Sequence, residues 1–297
     1  MSIVINSSEF KTSQGQSIDL SQISTSYDID LSEQEQLGWR KRLRTLSKSM
    51  QKNQEKLFAE KSKSLLVILQ GMDTSGKDST IKYVCSGINP QGLRVHGFGV
   101  PTTAEFEYTY LHRFWDKLPP RGFIHVFNRS YYEEVTVVRV HPHLLRKRMI
   151  PHEDTTGDFW GQRISEINDF ESHLAANGTQ ILKIFLHISP QEQMRRIMAR
   201  LQNPNKLWKF DPSDVEERTY WDQYLVAYSE AISMTNPEVA PWYVFPADYK
   251  PITRLLVADA ISKTLADMKP KFPKLQESQQ KVLNDLKLKL GIGQEEI

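Results

Sequence analysis

The residues from Gly71 to Ser79, Gly-Met-Asp-Thr-Ser-Gly-Lys-Asp-Ser, have the types and spacing that hold phosphate. Gly71 and Gly76 allow a tight turn in which successive backbone N–H groups aim at one anion. A helix starting at Lys77 would add the positive end of its dipole. Lys77 itself would bring a full charge to a phosphoryl oxygen. The implied chemistry is the handling of phosphate esters or anhydrides. A strand–helix turn that binds nothing is the plainer reading. The apolar run Leu65 to Leu69, the spacing and the lysine together argue against it.

Two carboxylates depart from the usual pattern. The position after the lysine is ordinarily Ser or Thr, whose hydroxyl ligates magnesium. Here Asp78 stands there, and Ser79 follows. Asp73 lies inside the loop. A carboxylate in a phosphate cradle repels the ligand unless a cation lies between them, so Asp73 is read as facing magnesium. That ion keeps several waters and needs only one or two carboxylates.

A second group follows the run Phe123 to Phe127. Phosphate-loop enzymes usually carry a magnesium-binding aspartate at this point, and this chain has Asn128. Arg129 offers a planar fork for phosphate oxygens, with a structural salt bridge as its plainer role. If a helix begins at Ser130, Glu134 lies one turn on and points back toward the site. Otherwise Glu133 and Glu134 are solvent-facing charges. Arg139 sits in an apolar run and needs a specific partner, either phosphate or Glu133.

Residues 193 to 221 carry Arg195, Arg196, Arg200, Lys206, Lys209 and Arg218 on two helical stretches joined by a polar loop. Taken singly, each is a solvated charge. As a cluster, with Trp208 and Phe210 flanking Lys209, they read as a lid that excludes water and delivers arginines. The cations outnumber what one diphosphate needs, which fits a long polyanion. His141, His143 and His152 have no cysteine beside them and are not read as a metal site.

Strands are expected at Leu65 to Leu69, Leu93 to Gly97, Phe123 to Phe127, Ile181 to Ile188 and Trp242 to Phe245. Helices are expected at Leu31 to Lys61 (capped by Ser32), Lys77 to Ser86, Thr103 to Asp116, Gly161 to Asn177, Pro190 to Gln202, Pro212 to Met234 and Ile252 to Met268. This alternation implies a mainly parallel sheet with helices on both faces, and ligands at the C-terminal strand ends. Residues 1–30 read as an extended or partly disordered arm. Residues 31–268 read as one domain with its lid at about 193–222, and 269–297 as a charged helical tail.

The bulk properties narrow the class. A net charge of +2 over 297 residues gives no basis for a nucleic-acid binder. No apolar run approaches the ~20 residues of a membrane span, and no secretory signal opens the chain. The single cysteine, Cys85, excludes an internal disulfide and reads as a packing residue. A cytoplasmic protein without a membrane partner is expected.

The motifs resemble those of the polyphosphate kinase 2 family. The match runs through Gly71 to Asp78, Asn128 to Val135 with Val138-Arg139-Val140-His141-Pro142, Arg200 to Phe210 with Glu217 to Trp221, and Ala240-Pro241-Trp242 with Pro246-Ala247-Asp248. It implies a P-loop kinase-like three-layer α/β/α fold with a helical lid. The implied activity is transfer of the terminal phosphate of inorganic polyphosphate to a nucleotide, reversibly, with Mg2+ or alternatively Mn2+. Asn128 with Glu134 is similar to the class that accepts both AMP and ADP, yielding ADP and ATP; GMP and GDP are further acceptors to test. A homodimer or homotetramer is implied as well.

Carried onto this chain, Asp73 and Glu134 hold the metal, and Asp73, Lys77, Arg129 and Glu134 form the catalytic set. Gly71, Met72, Thr74, Ser75, Gly76, Asp78, Ser79, Lys82, Asn128, Arg139, Arg195, Arg200 and Lys209 bind substrate. The rival readings are an ATP-dependent kinase on the same fold and a non-catalytic polyanion binder.

Overall fold

Five apolar runs form five parallel strands in the order β2-β3-β1-β4-β5. The structure, a computed structural model, describes residues 5–27, 33–148, 150, 157–209 and 211–292, with backbone alone at 33–37, 206, 209 and 214. Its elements are α1 (Glu33–Glu60), β1 (Ser64–Gly71), α2 (Lys77–Val84), β2 (Leu93–Gly97), α3 (His112–Trp115), β3 (Ile124–Asn128), α4 (Val137–Val140), α5 (Phe159–Ala176), β4 (Thr179–His187), α6 (Pro190–Leu201), α7 (Ser213–Glu216), α8 (Trp221–Met234), β5 (Trp242–Pro246), α9 (Lys250–Asp267) and α10 (Glu277–Lys289).

β1 is central and buried along its whole length, which is why its sequence is a continuous apolar run rather than an alternation. It pairs β3 on one side and β4 on the other. The chain therefore reverses its direction of strand addition at β1, and the crevice at that switch point is where such sheets bind ligands. The register sets Asn128 beside Leu69 and Leu186 beside Gly71, so the loops leaving β1 and β3 emerge together. Successive strand side chains face opposite layers. On β4, Lys183 meets Glu171 of α5 and Phe185 meets Tyr228 of α8. Helices α1, α2 and α9 pack together in the other layer. No described helix is long and apolar enough to cross a membrane.

Lys183 and Glu171 form an ion pair with no exposed surface. Glu171 also accepts from the hydroxyls of Tyr131 and Tyr132, each at 2.8 Å. Lys183 donates further to the Thr235 carbonyl at 2.6 Å. Each buried charge thus has partners, as burial demands. The network ties the segment after β3 to β4.

Two expected helices are corrected, and the arm is located. The described part of the arm is docked on the core, with Ile5, Ile18 and Leu20 buried. Its apolar residues show no period because irregular hydrogen bonds seat it, such as Ile18 N–H on Ser233 Oγ at 2.8 Å and Ser7 N–H on Asp259 at 2.9 Å. The helix expected from Thr103 to Asp116 is broken into a turn at Ala104–Glu107 and the short α3. Glu105 folds back onto the Thr102 N–H and hydroxyl at 2.7 and 3.1 Å, a local bond that competes with helix. The helix expected from Pro212 to Met234 is interrupted by a tighter turn at Glu217–Tyr220. Ser32, the expected cap of α1, lies outside the described residues.

Candidate active site

The loop between β1 and α2 takes its shape from positions where the backbone is left-handed. Gly71 has φ +151°, and a Cβ there would come within 2.8 Å of the Leu186 carbonyl oxygen. Gly76 has φ +102° and caps α2. Both positions need glycine. Thr74 also has positive φ, +59°, which is uncommon for a β-branched residue and is held in place by its surroundings.

Lys77, the first residue of α2, turns back and donates to the carbonyls of Gly71 and Met72, the second at 3.1 Å. Burial pushes its ammonium down to about 8; the Arg129 charge adds to this, and the Asp73 charge partly offsets it. Ser79 closes the first turn by donating to the Gly76 carbonyl at 3.0 Å.

Arg129 follows β3 with φ +67°. It donates to Asp73 at 2.7 Å and to Glu133 at 3.3 Å. Glu133 and then Asp73 hold its guanidinium well above the usual range, against the effect of burial. Asn128 donates to Asp78 at 2.7 Å.

These groups line an open cavity of about 640 Å3, whose walls carry Lys77, Arg129, Arg195, Arg196, Arg200 and Lys250. Asp73, Thr74, Gly76, Asp78, Ser79, Asn128 and the exposed Trp208 line it too. Its lining is cationic, as a polyanion site must be. A second open groove of about 540 Å3, between the arm and α8, carries Asp19, Asp222 and Glu230 and no cation, the wrong sign for such a ligand. A smaller cavity of about 140 Å3 adjoins the site through Phe98, Gly99 and Arg129 and continues among Phe106, Tyr110, Arg113, Phe114 and Arg148.

Not every expected residue reaches the loop. Ser130 to Glu134 does not begin an α-helix; Tyr131–Glu134 is a 3-10 turn capped by Ser130. With three residues per turn, Glu133 rather than Glu134 stands above Ser130. Glu134 is buried in the smaller cavity, paired with Arg148 at 2.6 Å, and burial raises its carboxyl despite the neighbouring guanidinium groups of Arg148 and Arg163. Arg139 pairs with Glu230 of α8 at 2.6 Å rather than with Glu133. Lys82 is exposed on α2 and does not line the cavity. Gly71, Met72 and Ser75 are buried within the loop. The Lys209 side chain and His152 lie outside what is described, and His141 meets Glu217 at 2.9 Å.

Three further residues meet the site: Gln193 and Lys250 were not expected there, and Arg196 was expected only as one cation of the lid cluster. Gln193 donates to the Asp73 carbonyl at 3.0 Å. Arg196 donates to the carbonyls of Thr74 and Ser75 at 3.1 and 2.8 Å. Lys250 stands at the start of α9 and lines the cavity. Its place just beyond β5, at a C-terminal strand end, was the available signal.

A parallel sheet, a glycine-bounded loop running into a helix, a lysine folded over that loop and converging arginines define a P-loop phosphotransferase. Known proteins agree. The profile of the polyphosphate kinase 2 (PPK2) family matches residues 33–273. An ADP-polyphosphate phosphotransferase of Rhodopseudomonas palustris is 41% identical, over 96% of this chain and 99% of that one. An AMP/ADP-polyphosphate phosphotransferase of Meiothermus ruber is 43% identical, over 81% and 86%. The crystal structure of polyphosphate kinase 2 from Arthrobacter aurescens TC1 is similar with a TM-score of 0.80 and 33% identity, covering 93% and 95%. The chain belongs to the polyphosphate kinase 2 family.

Proposed function

We propose that this protein moves the terminal phosphate of inorganic polyphosphate to a nucleotide, making ATP from ADP and ADP from AMP, reversibly and with Mg2+. The observation that carries the reading is the cavity in which Lys77, Arg129, Arg195, Arg200 and Lys250 converge on the loop. Its open form suits a ligand whose tail continues into solvent.

The donor oxygens fit magnesium. Asp73 is partly exposed in the cavity, and the side-chain oxygens of Thr74, Ser75 and Asn128 are buried without a protein partner. No three His, Cys, Asp or Glu side chains converge on one point among the described residues, and substrate phosphates complete such a site. Asp73 and Asn128 would hold the ion, with Glu133 beside them through Arg129. When bound, magnesium neutralises phosphate charge.

The acceptor's phosphate oxygen attacks the terminal phosphorus, the bridging P–O bond breaks, and the shortened chain leaves with the electron pair. No general base is required, because the attacking oxygen is already anionic. The transition state is loose, so positioning and charge neutralisation dominate. Lys77 and Arg129 neutralise the migrating group, and Arg195, Arg200 and Lys250 hold the chain. The smaller cavity, walled by aromatic rings, suits the base end of the nucleotide alone, since its volume of about 140 Å3 falls short of the ~300 Å3 of a complete ligand site. Arg129, shared by both cavities, marks the meeting point. Assembly as a homodimer or homotetramer belongs to the same reading and is checked by light scattering.

The decisive assay follows ATP from ADP, and ADP from AMP, with long-chain polyphosphate and Mg2+, with GDP and GMP as further acceptors. Product from both adenine acceptors, lost in Lys77→Ala, supports the proposal. Product from one alone restricts the acceptor range, a point on which the names of the two relatives differ. Turnover with ATP as donor and none with polyphosphate sinks it.

A further inference from the structure

The phosphate loop is held from behind by one face of α6. Three successive loop carbonyls are fastened there: Asp73 by Gln193, and Thr74 and Ser75 by Arg196. The two side chains stand one turn apart and are buried, at 3% and 7% exposure. A peptide unit is planar and trans, so its C=O and the following N–H point opposite ways. Fixing the carbonyls of residues 73, 74 and 75 therefore fixes the N–H groups of Thr74, Ser75 and Gly76. Ser75 N–H closes the turn on Met72 O at 3.1 Å. The other two remain aimed as α6 sets them.

We infer that Gln193 and Arg196 are positioning residues, which hold the loop's donors in their catalytic direction before phosphate arrives; this rests on the phosphotransfer reading above. The left-handed Thr74 is a second sign. A β-branched residue keeps φ +59° only where neighbours over-determine it, and its carbonyl sits on Arg196.

The rest of the guanidinium anchors the loop elsewhere. Nη2 donates to the carbonyls of Ala247 and Asp248, and Nε to Glu192 at 2.6 Å. Arg196 thus bolts the loop to the end of β5. Gln193 in turn accepts from Arg218, which joins the loop to the Glu217–Tyr220 turn. Arg195, the residue just before Arg196, differs: its side chain is 68% exposed, held by Glu192, and lines the cavity. Both arginines line the cavity, but Arg195 turns its exposed head to the polyanion while the head of Arg196 is taken up by backbone carbonyls. Lysine cannot replace Arg196, because a single ammonium cannot span carbonyls on both sides as the planar fork does.

The test compares wild type with Arg196→Lys, Arg196→Gly, Gln193→Met and Arg195→Lys, using polyphosphate and ADP. Wild-type turnover is the reference, and its absence would sink the functional reading separately. Arg196→Lys and Gln193→Met should stay folded, with kcat down about 10- to 100-fold and KM for polyphosphate within about threefold. Arg195→Lys should show the reverse, a raised KM with kcat little changed. Guanidinium ion, and not ammonium, should restore kcat of Arg196→Gly at least about tenfold. The inference falls if folded Arg196→Lys keeps kcat within about twofold of wild type, if its loss is confined to KM, or if lost activity tracks the lost folded fraction. Should the glycine variant not fold, the lysine variant alone decides.

Discussion

Asn128 and Asp78, two of the three residues that depart from the usual P-loop pattern, are hydrogen-bonded to each other at 2.7 Å. The usual pattern has an acid at the end of the second strand and a hydroxyl after the lysine. Here the acid stands on the helix and a neutral oxygen-bearing side chain on the strand. The pair keeps one negative charge at a place where two would repel.

Asn128→Asp should therefore restore that repulsion. Two carboxylates would face each other at hydrogen-bond distance, stable together only with a cation between them. Activity should become more steeply dependent on Mg2+, with a loss of about tenfold at limiting metal and partial recovery at excess. A magnesium titration of kcat/KM checks this, and an unchanged titration curve would contradict it.

Lys77 gives the site an alkaline limit. Its ammonium, lowered to about 8 by burial, is the form that binds phosphate. KM for polyphosphate should rise as pH passes 8 in free enzyme, and binding the polyanion should take up a proton. Calorimetry in buffers of different ionisation enthalpy reads that uptake. The stability effect has the opposite direction. Between about 8 and about 10.4 the unfolded chain binds more protons at this residue than the fold does, so its contribution to stability grows with pH. Lys77→Met should lose turnover by about 10²- to 10³-fold. Its melting temperature without ligand should compare more favourably with wild type at pH 7 than at pH 9.

Glu133 and Glu134 should separate cleanly. Glu133→Gln frees Arg129 from one of its two carboxylates and should shift the magnesium dependence. Glu134→Gln leaves Arg148 without its charged partner in the smaller cavity. It should lower the melting temperature and raise KM for nucleotide, leaving the magnesium midpoint unchanged. Measuring metal and nucleotide dependences for both variants decides between the adjacent acids.

Arg139→Ala should behave as a surface-bridge variant. Its partner is Glu230, and both side chains are partly exposed, so a loss of about 0.5–1 kcal/mol is expected from a pair of that kind. KM for polyphosphate should stay within about twofold. A larger KM change would return Arg139 to the polyphosphate track.

All five strands and the phosphate loop were legible because their signals are local: apolar runs, glycine spacing and a lysine at a helix start. What was not legible depends on distance. Arg196 differs from Arg195 only in which way it faces on α6, and nothing at position 196 reveals carbonyls at 74, 75, 247 and 248. That Glu133 rather than Glu134 stands above Ser130 turned on a tighter helical pitch over four residues. Arg139 was correctly marked as needing a partner, yet Glu230 lies 91 positions on. The arm escaped because its bonds go to scattered backbone and hydroxyl groups rather than to a periodic face.

That arm has a consequence for how the molecule behaves in crowds. β5 ends the sheet on one side, and a terminal strand offers unpaired N–H and C=O groups to any other extended chain. Lys11 makes an antiparallel bridge with Tyr243, and Thr12 N–H occupies the Trp242 carbonyl at 2.9 Å. The described arm thus covers part of that edge against strand addition. Cutting it away would open that flank, bare the core that Ile5, Ile18 and Leu20 cover, and free Asp248 from Thr25, so turbidity and lost turnover should appear together.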